Sequence, residues 1–154
     1  MGDYLKRIGL AAFVAVIFTA MVAATPAHAA TVTAANDRPS ALSAGQTAEH
    51  TLTFTTPTGA TAGTTITVTF DAPFNTASIV EDDIDIADDG IDLTTSASAC
   101  PAAETSVAIA SDVITFTLCA GTTITAGSII TVEVGTIATS SGTGVNRITN
   151  PSGA

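Results

Sequence analysis

Between residues 50 and 134, apolar and polar positions alternate with a period of two. In His50-Thr51-Leu52-Thr53-Phe54-Thr55, Leu52 and Phe54 fall on one face and the three threonines on the other. Ile66, Val68 and Phe70 repeat the pattern, as do Ile114, Phe116 and Leu118, and then Ile130, Val132 and Val134. This alternation predicts strands with one face on a core and the other in water. No segment beyond residue 30 carries a helical period. Clusters of Gly, Pro, Asn and Asp at 57–63, 71–76, 88–90, 120–122 and 140–146 separate the strands. Strands are expected near 31–34, 46–56, 64–70, 81–87, 91–95, 105–110, 113–118 and 128–138. Short alternating strands with frequent turns predict an all-β fold, an antiparallel sandwich or barrel.

Two local registers follow. Residues Val107 to Ile114 read as a hairpin turning at Ser111-Asp112, which pairs Ala110 with Val113. A four-residue turn from Ala87 to Gly90 would set Ile86 opposite Ile91, Ile84 opposite Leu93 and Asp85 opposite Asp92. There is also an internal echo. Residues 51–70 align without gaps on 115–134, with Ala62-Gly63-Thr64-Thr65-Ile66-Thr67-Val68 matching Ala126-Gly127-Ser128-Ile129-Ile130-Thr131-Val132. Each copy reads strand, loop, Ala-Gly, strand.

The start of the chain has a different character. Lys6 and Arg7 precede an apolar run from Ile8 to Ala24, and Ala27-His28-Ala29 follows Pro26. A charged start, an apolar middle and small residues at the cut describe a secretory signal peptide over 1–29, cleaved after Ala29. The run is at the short limit for a spanning helix, the competing reading. Contact with a membrane is expected only through this segment before cleavage. The remaining 30–154 forms one domain, large enough for a single core.

Composition narrows the function classes. The chain has 14 acidic residues against 4 Lys+Arg, a net charge of -10. Beyond residue 29 only Arg38 and Arg147 are basic, which argues against nucleic acid as a partner. Cys100 and Cys119 are the only cysteines, and an even count in an exported chain favours a disulfide. The predicted hairpin would place Cys119 opposite Glu104, so Pro101 must let 100–104 fold back for the bridge to close.

The acidic run Glu81 to Asp92 offers a candidate Ca²⁺ site formed by Asp83, Asp85, Asp88, Asp89 and Asp92. It is not an EF-hand: counted from Asp85, the third position is Ala87 and the twelfth is Ser96. The competing reading is a solvated acidic edge that discourages pairing with other chains. Ile84 and Ile86 would then face the core, and Asp83 and Asp85 water. His50 falls on the apolar face of its strand, which suits a partly buried side chain better than a general base. No G-x-S-x-G, H-E-x-x-H or glycine-rich phosphate loop is present, so no enzyme activity is expected.

Asp37-Arg38-Pro39-Ser40, Gly45 to Gly59 and Ala62 to Phe70, with Ile84 to Thr94 and Ile148-Thr149-Asn150-Pro151-Ser152, carry a wider likeness. Over nearly all of 36–152 the chain resembles the Thr-rich, Ig-like N-terminal domains of secreted surface proteins from small-genome, uncultured bacteria. The resemblance implies an Ig-like antiparallel β-sandwich and a cell-envelope or adhesive role, and brings no catalytic residues. The expected function is a non-catalytic secreted or cell-surface structural or adhesive domain. A Ca²⁺-dependent module, taking Ca²⁺ or a Ca²⁺-bridged glycan at 82–92, is the alternative, and a self-associating filament subunit the third. Expected partners are other cell-surface proteins or further domains of a longer chain. The turn-forming end Asn150 to Ala154 suggests a C-terminal truncation. That would leave 128–138 as an open edge suited to self-association.

Overall fold

The period-two segments form strands because alternate Ile, Val, Leu and Phe side chains share one face, while β-branched Thr suits the opposite one. The computed structural model describes residues 31–100, 103–140 and 142–152. The signal segment and its cleavage at Ala29 lie outside them. The first strands are β1 (Thr33–Pro39), β2 (Thr47–Ala48), β3 (His50–Thr56), β4 (Ala60–Thr61) and β5 (Thr65–Thr69). A 3-10 turn at Glu81–Asp83 leads into β6 (Ile84–Asp88), β7 (Ile91–Leu93) and β8 (Thr95–Ser96). Next come β9 (Thr105–Ala110), β10 (Val113–Leu118), β11 (Thr123–Ile124), β12 (Ser128–Val134) and β13 (Ile148–Thr149).

The fold is all-β. One sheet has the order β1-β3-β12-β6-β7 and is antiparallel throughout. A second has the order β5-β10-β9-β8, antiparallel except for the parallel pair β8-β9. Two short ribbons, β4 with β11 and β2 with β13, complete the pairing. Phe54, Ile84, Ile86, Ile130, Val132 and Val134 from the first sheet join Val68, Val107, Ile114, Phe116 and Leu118 from the second in one hydrophobic cluster. The alternation thus assigns the inward residues correctly. The Ser111-Asp112 hairpin also holds: Val113 pairs with Ala110, and Cys119 N donates to Glu104 O at 2.9 Å.

The internal echo has a structural counterpart, with a correction. β3 and β10 correspond, as do β5 and β12, and they pair crosswise: β3 with β12, and β10 with β5. Phe54 pairs with Ile130, and Phe116 with Ile66. Gly63 N donates to Leu118 O and Gly127 N to Thr56 O, both at 2.8 Å. These matched pairs equate Phe54 with Phe116 but Gly63 with Gly127. The second connection is therefore two residues longer, and the ungapped alignment places the first strand two residues off. β4 and β11, the two connections, pair with each other where the copies meet.

Other expectations are revised. The stretch 128–138 is no open edge, because β12 lies between β3 and β6 and the chain leaves the strand at Gly135. The edges are β1 and β7 in one sheet and β5 and β8 in the other. The expected strand 91–95 divides at Thr94, so that β7 and β8 belong to different sheets. The expected strand 81–87 begins instead with the 3-10 turn. Near the end of the chain, β13 pairs with β2, and buried Asn150 donates through Nδ2 to Ala41 O at 2.8 Å and Ser43 O at 3.2 Å.

Candidate functional site

The acidic run forms a hairpin, but with a tighter turn than expected. Asp89 and Gly90 have φ of 49° and 81°, the left-handed pair that a two-residue hairpin turn requires. Asp88 therefore pairs with Ile91, Ala87 with Asp92 and Ile86 with Leu93. Asp85 does not face Asp92 in this register. Its cross-strand partner is Glu133 of β12.

The five aspartates have separate roles. Asp83, expected in water, is fully buried in the 3-10 turn. Its Oδ1 accepts from Val145 N at 2.8 Å and Asn146 N at 2.9 Å. Its Oδ2 accepts from Val80 N at 3.0 Å and Asn146 Nδ2 at 2.9 Å. Burial pushes the Asp83 carboxyl up, but the bonds from Asn146, Val80 and Val145 outweigh it and hold the group below its ordinary value. Asp85, also expected in water, is buried; its Oδ2 accepts from Ser140 N at 2.6 Å as the chain after β12 folds back. Asp88 falls on the same side of β6 as Ile84 and Ile86, and its Oδ1 is buried without a hydrogen-bond partner among the described residues. Asp89 Oδ1 accepts from Ile129 N at 2.8 Å. Among the described residues, no group of three or more His, Cys, Asp or Glu is arranged to hold a metal ion.

The outer surface over β6, β7 and β12 carries a shallow concavity lined by Asp85, Ala87, Gly90, Asp92, Thr131 and Glu133. The small residues Ala87 and Gly90 leave the space, and three carboxylates ring it. Burial raises the Glu133 carboxyl above its ordinary value, and the charges of Asp85 and Asp92 raise it further. Such a surface repels anions and draws cations toward it. Glu133 was legible as an outward position of its strand. Its juxtaposition with Asp85 and Asp92 depends on the β6-β12 pairing, which no local pattern announces.

His50 is fully buried, more so than expected, and its Nδ1 lies 2.8 Å from Asp37 Oδ2. A carboxylate only accepts, so Nδ1 is assigned as the donor. The ring meets Phe70 and Phe74 edge-on, with centroids 5.2 and 5.8 Å away. Nε2 is buried, with no hydrogen-bond partner among the described residues. Among the described residues, no hydroxyl or thiol lies within hydrogen-bond reach of Nε2. Asp37 was not legible as its partner, because the sequence pattern ends the first strand at residue 34, whereas β1 continues to Pro39.

Cys100 and Cys119 form the expected disulfide, with a Cα–Cα distance of 5.2 Å. Among the described residues, no helix is long and apolar enough to cross a membrane. Comparison of the chain with protein-family models, with curated proteins and with solved structures finds no match.

Proposed function

We propose that the chain is a non-catalytic structural or adhesive domain, an Ig-like β-sandwich secreted to or displayed on the cell surface. The disulfide between Cys100 and Cys119 carries this reading, because such bonds persist in oxidising compartments outside the cytosol. Two further features support it. Thr lines the outward positions of β3, β5 and β10, giving polar faces with little charge to attract a nucleic acid. Buried His50, whose partner Asp37 is exposed, packs edge-on against Phe70 and Phe74, the surroundings of a structural side chain.

The test is expression of the full chain, tagged at its C-terminus, in a bacterium with general secretion. The mature protein should begin at Ala30, carry an oxidised cysteine pair and be found outside the cytoplasm. Recovery from the cytoplasm with Met1 retained and two free thiols would overturn the reading.

A further inference from the structure

β1 is held unlike the other long strands. Every residue from Thr33 to Arg38 is exposed and Pro39 is half-buried, although the strand pairs with β3 from Thr33 to Pro39. It contributes nothing to the hydrophobic cluster. Among the described residues, its attachment is the backbone ladder to β3, with the side-chain contact from Asp37 to His50. The internal echo supplies a comparison within the molecule. β9 stands beside β10 as β1 stands beside β3, yet β9 buries Thr105 and Val107 and turns into its neighbour through Ser111-Asp112. β1 instead reaches β3 through residues 40–49. That link is fastened elsewhere: β2 pairs with β13, Gly45 N donates to Pro151 O at 3.1 Å, and Asn150 holds the carbonyls of Ala41 and Ser43. A swing of β1 about Pro39 and Ser40 would leave those bonds in place. It would break the ladder, the Asp37–His50 contact and the two bonds between Ser40 and Glu49, which are both 2.9 Å.

The geometry points to Thr33–Pro39 as an exchangeable strand, with the β3 edge receiving the same strand from a second copy of this chain. The partner is specified by the donor itself. Whatever backbone register and Asp37–His50 contact the strand makes within one chain, an identical strand makes between two. The ladder that breaks as one strand leaves re-forms as its counterpart docks, so exchange is opposed by the two Ser40–Glu49 bonds at the hinge and by the tether's effective concentration, in the millimolar range for a short link. A strand with a buried apolar face would forfeit that burial while exchanging; β1 has no such face. The expected product is a strand-exchanged dimer or a short chain of copies, formed where the protein is crowded. This goes beyond a surface role and does not depend on it, since a monomer can be displayed equally well.

Asn36 and Thr53 are direct cross-strand partners and provide the test. Asn36→Cys and Thr53→Cys are made in separate full-length chains, exported, and mixed at rising concentration under mild oxidation. Exchange predicts a covalent heterodimer with a 36–53 linkage on peptide mapping. Its fraction should grow about tenfold for each tenfold rise in concentration below the millimolar tether range. Asn36→Cys mixed with Thr115→Cys, on the other sheet, measures random collision and should stay far lower. The double variant N36C/T53C should close the bond within one chain and run as a monomer, which reports that the substituted strand folds in register. If the double variant closes while the mixed singles cross-link no better than the control pair up to about 1 mM, β1 does not exchange and the inference fails.

Discussion

Asp83 shows how a carboxylate in an acidic run can be internal structure. Four donors converge on its two oxygens, three of them from Val145 and Asn146, more than 60 positions away. Asp83→Asn would turn an amide NH₂ toward those donors. It should destabilise the fold by about 2–4 kcal/mol, the cost of buried donors left unpaired. Urea titration would measure this. The folded group ionises below its ordinary value of 3.8, so its contribution is full above that value and disappears as pH falls through the lower folded one. The gap between wild type and Asp83→Asn should therefore narrow in strong acid. Glu133 behaves oppositely. Its repulsion is absent below its ordinary value of 4.5 and develops as pH rises through the raised folded value. Glu133→Gln should stabilise the protein at pH 7 by about 0.5 kcal/mol, the scale of a like-charge cross-strand contact. Thermal melts at pH 7 and pH 4 would show the gain at the first and its disappearance at the second.

At the scale of elements, the two connections that carry β4 and β11 meet closely. A Cβ built on Gly59 would lie 2.5 Å from Ile124 O and 2.8 Å from Ala126 N, with φ at +67°. Gly63 has φ of +84°, but a Cβ there meets nothing within 4 Å. Gly63→Ala should thus cost about 1 kcal/mol for the left-handed backbone alone. Gly59→Ala must also push β11 away from β4, and should cost at least about 2 kcal/mol more. Paired denaturation curves test the difference. Equal destabilisation by the two variants would mean that the β4-β11 contact yields easily and does little to hold the two copies together.

For the whole molecule, the crosswise pairing makes each sheet depend on both halves of the chain. β12 supplies the centre of a sheet whose other strands are β1, β3, β6 and β7, and β5 supplies an edge of the sheet that holds β9 and β10. Unfolding is accordingly expected to be a single cooperative transition, since neither half retains a complete sheet. The disulfide spans a sequence separation of 19 and constrains the unfolded chain. In the chain-entropy account a loop of this length contributes about 3 kcal/mol. The double variant C100S/C119S should therefore unfold at lower urea by that amount, while remaining a one-step transition. Two steps would show that the halves unfold independently.

The alternation of Thr with Ile, Val, Leu and Phe by itself determined which residues of β3, β5, β10 and β12 face inward, because side-chain direction in a strand depends only on odd or even position. The Ser111-Asp112 hairpin was legible for a similar reason: its register follows from the turn between adjacent strands. The cysteine pair was legible from count and expected compartment. Pairings between distant segments were decided only by the tertiary structure. Nothing local states that β12 lies between β3 and β6, so the supposed open edge proved internal. The same is true of Asp37 meeting His50, of Asn146 enclosing Asp83 and of Glu133 facing Asp85. Each is a contact between a polar side chain and a remote partner, set by how the sheets assemble. A run of aspartates reads alike in sequence whether solvent, a cation or the protein's own backbone amides satisfy its oxygens; the folded chain supplies amides to Asp83, Asp85 and Asp89.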